Sequence, residues 1–415
     1  MNKKLILSAA IAALGLSAGI APVEAAPPGT GWDNLPDVAV GGGSDTTYQV
    51  SQRLEVLYNA TPGCTLATSG ATVGLCSSTA AVTPTNGNFD HDMVVSAYPT
   101  GSGAGVSGLV GTYNPTIDFA RSSRVGTATE LLDRTFWGFA RDGIAVTTFG
   151  SRSGYALTKQ NLIDIFTCNP LANGGLGSDD WSDFGFPAGP IIPWDMNNAS
   201  GTRSSFIVTY LGNGTLPNIP ASCLRKLTTT VPPFENDVKP ILADNGPDGI
   251  ANTADDDENN FIWWQSFGNW QTYPYTTGAV PTGAAARVDA NLVTVDGVTP
   301  SNASIGASTT SPTAYSIGRT LFHVTREADA DCNTVVGTEG VCTAGPTVSG
   351  TTLGKGGAVR GFTEFLCRTS NAQQQINPQS GRGYRSEISL AIQAEGFSQV
   401  PTNLRTTGYA CQVFN

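Results

Sequence analysis

The sequence has few of the side chains that metal and acid–base sites use. It contains only two histidines, His91 and His323, and no Cys-x-x-Cys pair, so a zinc site is a weak interpretation. It contains no Gly-x-Ser-x-Gly motif, and the histidines lie in unrelated surroundings, so no catalytic triad can be assembled. We therefore predict that the chain is not an enzyme.

Charged residues are also scarce, at 13% of 415 residues, and the formal net charge is −11. This acidic balance argues against nucleic acid and anionic membranes as partners. An acidic chain that binds an anion must do so with local dipoles and a few well-placed cations.

Long apolar runs are missing after the first residues. Lys3 and Lys4 precede an uncharged apolar stretch, Leu5 to Ile20, and a small-residue cleavage site ends at Ala25. This order predicts a signal peptide over residues 1–25. No cysteine lies near the cut, so we expect a periplasmic or secreted protein without a lipid anchor.

Eight cysteines remain in the exported chain, and an even number there predicts disulfides. Spacing suggests that neighbours pair, although eight cysteines allow about 105 connectivities. The suggested pairs are 64 with 76, 168 with 223, 332 with 342, and 367 with 411.

Strand-like and helix-like segments alternate along the chain, which predicts an α/β fold. Helical spacing appears in YQVSQRLEVLYN, which follows a strand and a glycine turn from Val38, and in Leu157 to Phe166, with Thr158 as a cap. Further helices are predicted over Ser204–Leu211 and Ala358–Cys367. The predicted strands are Met93–Ala97, Thr116–Phe119, Ile144–Thr148, Phe261–Trp264 and Arg319–Val324.

Two segments look like surface insertions, Asp244–Asn260 and Thr276–Pro312. An aromatic run, Phe261 to Tyr275, could stack on a sugar, but packing in the core is the favoured interpretation.

Three turns rich in Gly, Ser and Thr are candidate anion-binding segments: GGGSDTT (41–47), GSGAG (101–105) and ASGTR (199–203). Glycine lets the backbone approach a ligand, and the amides at a helix start, with the helix dipole, can hold an anion. A fourth piece, IDFARSSR (117–124), places two serines between two arginines, which can grip an oxyanion with two hydrogen bonds. Taken singly, each piece has a plainer interpretation: a simple turn, a helix cap at Asp45, or solvated charges at Arg121 and Arg124.

Together and in this order, these pieces resemble the phosphate ABC-transporter substrate-binding proteins, of the type 2 periplasmic binding protein class. FWGFARDGIAV resembles the strand that crosses between the family's domains, and LTKQNLIDIFTCN resembles the helix after it. FEND, GRTLFHV, RGFTEFLC and EGFSQVP resemble later landmarks, so the likeness covers most of residues 38–401 outside the two insertions.

The resemblance implies two α/β lobes joined by two crossing strands, with a ligand cleft between them. Lobe 1 would comprise residues 38–143 plus 317–415, and lobe 2 residues 144–316. It implies a solute-binding protein that captures inorganic phosphate and hands it to an ABC permease in the membrane.

The resemblance also implies a set of ligand residues from four segments. They are Ser44, Asp45, Thr46 and Thr47; Ser102 and Gly103; Ser122, Ser123 and Arg124; and Ser200, Gly201, Thr202 and Arg203. Asp45 enters this set by our own hypothesis, as the acceptor for the proton of hydrogen phosphate.

Two positions depart from the family pattern. Many relatives carry an arginine where Met196 stands, and some carry an aspartate where Ser123 stands. A lone carboxylate in the first turn would repel fully ionised sulfate, and for this reason we assign Asp45 the selection of a protonated anion. Sulfate, a molybdate-like anion and a phosphorylated small molecule stay open as ligands.

Aspartates crowd the segment DNGPDGIANTADDDENN, 244–260, where alternating oxygen ligands and a glycine turn suit Ca²⁺. The candidate ligands are Asp244, Asp248, Asp255 and Asp257, and a solvated acidic insertion is the alternative. No cofactor is required for binding. The other alternative function is a secreted surface or structural protein without a transport role.

Overall fold

The computed structural model describes thirteen stretches of the chain. They are residues 37–59, 88–90, 101–111, 117, 119–168, 179–198, 200–212, 223–224, 258–272, 290–327, 362–363, 365–367 and 380–414. The predicted signal peptide, the strand predicted over Met93–Ala97 and the four calcium candidates lie outside them, as do Cys64, Cys76, Cys332 and Cys342.

Strands and helices alternate through the described residues, so the α/β prediction is confirmed. The strands are β1 (Asp37–Gly43), β2 (Asn88–Asp90), β3 (Phe119–Ser122), β4 (Arg134–Phe149), β5 (Ala156–Leu157), β6 (Ile192–Pro193), β7 (Phe261–Ser266), β8 (Ala290–Leu292), β9 (Thr294–Val295), β10 (Gly318–Arg326), β11 (Ser398–Gln399) and β12 (Gln412–Phe414).

The α-helices are α1 (Tyr48–Asn59), α2 (Ser102–Gly108), α3 (Lys159–Thr167), α4 (Gly201–Arg203), α5 (Phe267–Thr272), α6 (Asn302–Ile305) and α7 (Tyr384–Ala394). A π-helix, Ser204–Tyr210, continues α4, and short 3₁₀ turns span Glu130–Leu132, Trp181–Phe184, Glu258–Asn260 and Thr402–Leu404. Residues 362–363 and 365–367 are helical, within the helix predicted there.

Local patterns placed the helices well. α1 coincides with YQVSQRLEVLYN. Thr158 caps α3 as predicted, because its hydroxyl accepts the amide proton of Asn161 and the Asn161 side chain accepts the amide proton of Thr158. β3 begins at Phe119, the last residue of the strand predicted over Thr116–Phe119.

One long strand links two cores. Residues 134–143 of β4 pair with β10, and this half of β4 also pairs with β11 and β12. Residues 144–148 pair instead with β7, and residues 147–149 with β8. The partners change between Gly143 and Ile144, where the amide of Ile144 donates to the carbonyl of Ile317 at 3.0 Å. We call this place the crossing point.

The first core lies around the sheet ordered β2-β1-β3-β10-β4. On one face, Val50, Leu54 and Phe365 are among the buried residues. On the other face, Val106, Phe136 and Phe322 are buried. Apolar side chains on both faces place this sheet between two layers of helix and loop.

The second core contains Ile144, Phe166, Trp194, Phe206 and the aromatic residues of β7. Residues Phe261, Ile262, Trp263 and Trp264 are completely buried, so core packing explains the start of the aromatic run. This part of the run is therefore unavailable as a stacking platform for sugars.

The expectation that residues 276–312 form a surface insertion is wrong for the part that begins at Ala290. β8 pairs with β4, and Val293, Val295 and Ile305 are buried in the second core. The Thr- and Ser-rich composition concealed a short alternation of apolar and polar residues that fits a half-buried strand.

Two disulfides join predicted neighbours, Cys168–Cys223 and Cys367–Cys411. Cys223 belongs to the second core, whereas Cys367 and Cys411 belong to the first. The lobe boundaries that the resemblance implies stay a prediction. Within the described part of the chain, no helix has the length and apolar character needed to cross a membrane.

Candidate functional site

The first two predicted ligand turns are bound to each other through their backbones. The amide of Gly101 donates to the carbonyl of Gly43 at 2.9 Å, and the amide of Ser44 donates to the carbonyl of Arg121 at 3.0 Å. Gly43 has φ +124°, and a Cβ there would collide with the Arg121 carbonyl. Glycine is needed at this corner because other residues rarely adopt that φ.

The Ser-Ser-Arg segment joins the second turn through Ser123. The amide of Ser123 donates to Ser102 Oγ at 2.9 Å, and the two hydroxyl oxygens lie 3.1 Å apart. Both serines are fully buried. Ser122 points elsewhere, since its hydroxyl donates to the carbonyl of Arg124 at 2.7 Å and closes its own turn.

The third turn approaches from the second core. Ser200 caps α4, and its hydroxyl accepts from the amides of Thr202 and Arg203. Thr202 Oγ1 lies 3.2 Å from Thr46 Oγ1 in the first turn. A Cβ on Gly201 would collide with the hydroxyls of both Ser102 and Ser123, so the backbone of α4 lies directly against them.

Four hydroxyl groups from four segments therefore meet where the two cores face each other. We call Thr46, Ser102, Ser123 and Thr202 the hydroxyl cluster, and none of them is more than 2% exposed. Ser44 Oγ is buried nearby without a hydrogen-bond partner among the described residues. A hydroxyl in that position needs a ligand or water to satisfy it.

The other predicted ligand residues lie on the same turns. Thr47 donates to the carbonyl of Ser44 at 3.3 Å, and Asp45 is 8% exposed. The carbonyl of Asp45 accepts the amide proton of Tyr48 at the start of α1. Gly103 is half-buried in the first turn of α2.

The two predicted cations are each held by a carboxylate. Arg124 makes a bidentate salt bridge with Glu130, in which Nη1 and Nη2 each lie 2.7 Å from a carboxylate oxygen. Burial by itself raises the pKa of Glu130, but hydrogen bonds from Arg124 and Thr127 outweigh it and lower the pKa to about 2. Arg203 Nε lies 2.9 Å from Asp195 Oδ1. Both arginines keep part of their surface exposed.

A buried arginine that sequence reasoning did not nominate touches the hydroxyl cluster. Arg319 Nη1 donates to Thr202 Oγ1 at 2.6 Å and to the carbonyl of Ser123 at 3.4 Å. Its Nε and Nη2 donate to Asp142 Oδ2 at 3.0 and 2.8 Å. Both residues belong to segments quoted for the resemblance, GRTLFHV and FWGFARDGIAV. The signal in the sequence that could have found this pair was a charged residue inside each of two otherwise apolar strands.

Two other residues at the site were also missed. Arg121 is buried, and its Nε donates to the carbonyl of Ser44 at 3.2 Å, so the interpretation of Arg121 as a solvated charge is wrong. Ser205, in the π-helix, donates to the carbonyl of Ser123 at 3.0 Å. Met196, where relatives carry arginine, is fully buried, and its sulfur accepts the Ser200 hydroxyl at 3.1 Å.

Chemically, the site offers many hydrogen-bond donors and little reactivity. The described histidine, His323, lies between the rings of Phe119 and Phe362, with centroids 4.8 and 5.3 Å away. Burial, together with the charge of Arg121, lowers the pKa of His323 to about 3, so it is neutral at pH 7. Among described residues, no group of three or more His, Cys, Asp or Glu is arranged to hold a metal ion.

No protein-family model matches the sequence, and no curated protein matches it either. The chain is similar to solved structures of phosphate-binding proteins. An ABC-type phosphate transport receptor from Vibrio cholerae is 17% identical, with a TM-score of 0.42, over 71% of this chain and 90% of that one. A phosphate-binding protein from Stenotrophomonas maltophilia is 16% identical, with a TM-score of 0.43, over 89% of this chain and 91% of that one.

Proposed function

We propose that this protein is an extracytoplasmic solute-binding protein that captures inorganic phosphate for ABC-type uptake. The observation that carries the proposal is the hydroxyl cluster, in which donors from both cores converge on one buried place. Hydrogen bonds to an anion are stronger in a dry site than in water, and Ser44 Oγ has no other partner among the described residues. The resemblance of the motifs to phosphate-binding proteins supplies the choice of phosphate.

Capture would begin on the first core, which provides Ser44, Thr46, Ser102 and Ser123 from turns that are already bound to each other. The start of α4 would then add Gly201 and Thr202 from the second core. The helix dipole is positive at this end and favours an anion there, while the amides of Thr202 and Arg203 donate to Ser200 Oγ.

A calorimetric titration of the purified, phosphate-free protein tests the proposal. We expect phosphate to bind with Kd of about 1 μM or tighter, corresponding to about −8 kcal/mol. Sulfate, arsenate and molybdate are titrated in parallel. Absence of binding by every oxyanion would overturn the proposal, whereas tighter binding of sulfate or molybdate would replace phosphate as the ligand.

Asp45 is the residue that we propose to distinguish hydrogen phosphate from sulfate. A buried carboxylate can accept a hydrogen bond from the protonated oxygen of hydrogen phosphate, but it repels the fully ionised oxygens of sulfate. The Asp45→Asn variant should lose most of the preference for phosphate over sulfate in the same titration. If the preference persists, Asp45 has no such role.

A cavity of about 530 Å³ gives some support to the alternative ligand, a small phosphate monoester. It is lined by Arg319 and Ser205, which touch Ser123, and by Tyr210, Val208 and Phe414. That volume is enough for a small organic group. Titration with glycerol 3-phosphate distinguishes the two, because binding tighter than phosphate itself would favour the ester. Release of phosphate during that titration would instead indicate an enzyme.

Export, delivery to a permease and calcium binding by Asp244, Asp248, Asp255 and Asp257 remain parts of the proposal that rest on sequence. Calcium binding predicts that a chelator lowers the melting temperature of the full chain. An unchanged melting temperature would remove the calcium site.

A further inference from the structure

Arg319 and Asp142 form a buried charged pair at the crossing point. They are directly opposite each other on β10 and β4, one position from the opposed glycines Gly318 and Gly143. The side chain of Arg319 is 7% exposed and that of Asp142 is fully buried. Asp142 Oδ1 also accepts the amide proton of Gly268 at 3.2 Å, so the carboxylate is fixed from two sides.

The guanidinium of Arg319 contacts both halves of the hydroxyl cluster. Ser123, whose carbonyl it bonds, follows a strand of the first core, and Thr202, whose hydroxyl it bonds, lies at the start of α4 beside the second core. Arg124 and Arg203 make their ion pairs with Glu130 and Asp195. Arg121 donates to the carbonyl of Ser44, on the first core.

Hydrogen-bond polarity gives Arg319 a definite effect on Thr202. A guanidinium has donors and no acceptor, so Thr202 Oγ1 must accept this bond. The proton of the Thr202 hydroxyl is then directed away from Arg319. Thr46 Oγ1, in the first ligand turn, lies 3.2 Å from Thr202 Oγ1 and can accept that proton when no anion is bound. Arg319 thus polarises the Thr202 hydroxyl as a donor.

We propose that Arg319, oriented by Asp142, supplies the positive charge that the bound anion requires and couples anion binding to the contact between the two cores. This inference rests on the proposed function. Arginine suits the role because its planar guanidinium can donate to a carboxylate through two N–H groups while a third N–H group donates into the site. Asp142 fixes the orientation of the Arg319 guanidinium, and the polarised Thr202 hydroxyl donates a hydrogen bond to the ligand.

The test is calorimetric titration of the full chain with inorganic phosphate at several sodium chloride concentrations. Arg319→Gln should weaken binding about 10- to 150-fold, the range expected for a hydrogen bond to a charged group. It should also reduce the salt dependence of the affinity, because one positive charge is lost from the site. Arg319→Lys should weaken binding roughly tenfold while retaining the salt dependence, because an ammonium cannot reproduce the planar guanidinium.

Arg152→Gln is the matched control. Arg152 is another arginine with several partners, since it donates to Tyr155 Oη and to the carbonyl of Pro187, both at 2.9 Å, and lies over the Trp181 ring. None of these contacts involves a residue of the hydroxyl cluster. Loss of the Arg152 side chain should therefore lower the melting temperature without changing phosphate affinity.

The outcomes separate this inference from the proposed function. If the wild-type protein binds no phosphate, the proposed function fails and this inference with it. If the wild type binds and Arg319→Gln binds equally well with the same salt dependence, the inference alone is overturned. Should Arg319→Gln fail to fold, as judged by circular dichroism, Arg319→Lys decides: wild-type affinity in that variant overturns the inference, and a tenfold loss supports it.

Discussion

Gly201 occupies a place at the contact between the two cores where no side chain fits. Its backbone lies against the hydroxyls of Ser102 and Ser123, and its own turn is capped by Ser200. The resemblance implies a ligand contact for this residue, since glycine lets the backbone approach a ligand. The structure adds a steric requirement, because the second core can approach this closely only at a residue without Cβ.

The Gly201→Ala variant should therefore lose phosphate affinity by more than about tenfold, because the added methyl group holds α4 away from the hydroxyl cluster. The melting temperature of the ligand-free protein should change little, since the collision is between the cores and not within either of them. Calorimetry and thermal unfolding measure the two effects. Wild-type affinity in this variant would show that phosphate does not require the close contact.

Individual helices in this protein depend on local caps. α3 begins with a reciprocal pair in which Thr158 Oγ1 accepts from the amide of Asn161 at 3.1 Å and Asn161 Oδ1 accepts from the amide of Thr158 at 2.9 Å. β10, by contrast, depends on burial: Leu321 and Val324 are fully buried, and His323 is 3% exposed. The two elements predict different responses to substitution and to acid.

For α3, Thr158→Ala should lower the free energy of unfolding by about 1 kcal/mol, because the first-turn amide of Asn161 loses its partner. Thr158→Ser keeps the hydroxyl and serves as the control, with little expected change. Urea denaturation measures both. Equal stability of the alanine and serine variants would contradict the cap.

For β10, burial keeps His323 neutral in the folded protein, with its pKa lowered to about 3 from an ordinary 6.5. The unfolded chain takes up a proton as pH falls below about 6.5, but the folded protein does not, so stability is lost toward acid and is fully present above that pH. Between pH 7 and 5 we expect a loss of about 2 kcal/mol from this residue.

The His323→Phe variant, which keeps a ring between Phe119 and Phe362, should lack that part of the acid-dependent loss. Urea denaturation at pH 7 and pH 5, compared between the variant and the wild type, measures the difference. Identical pH dependence in the two proteins would mean that His323 is accessible to protons in the folded state.

On the scale of the whole molecule, two cores share one long strand, and the hydroxyl cluster is a buried polar place where they meet. Each described disulfide has its cysteines on the side of one core: Cys168–Cys223 belongs with the second and Cys367–Cys411 with the first. These two disulfides thus stabilise each core separately, and the described contacts between the cores at the hydroxyl cluster are noncovalent. This arrangement leaves the contact at the hydroxyl cluster free to depend on ligand.

Replacing Cys168 and Cys223 by alanine should lower the free energy of unfolding by about 2–4 kcal/mol, because the unfolded chain regains a loop that the disulfide had closed. Unfolding in guanidinium can be followed by tryptophan fluorescence, since Trp181, Trp194, Trp263 and Trp264 are buried in the second core. Phosphate affinity at low denaturant should stay within a factor of about three of the wild type. A stability equal to that of the wild type would contradict the structural role of this disulfide.

The sequence by itself determined the features that depend on neighbours along the chain. Helical spacing located α1, a threonine suited to capping located the start of α3, and glycine-rich turns located three segments of the site. The neighbour rule also identified the two described disulfides. These features are local because capping, turn conformation and helix formation involve residues within a few positions of each other.

Only the tertiary structure decided which charges reach the site and which polar segments are buried. Arg319 and Asp142 are 177 residues apart in sequence and meet because β10 pairs with β4. Val293 and Val295 lie in a Thr-rich stretch that composition assigned to the surface, yet β8 and β9 bring them into the second core. Long-range strand pairing sets both outcomes. The local sequence shows only a charged residue within an apolar strand or a short apolar–polar alternation, and neither tells which strand will be the partner.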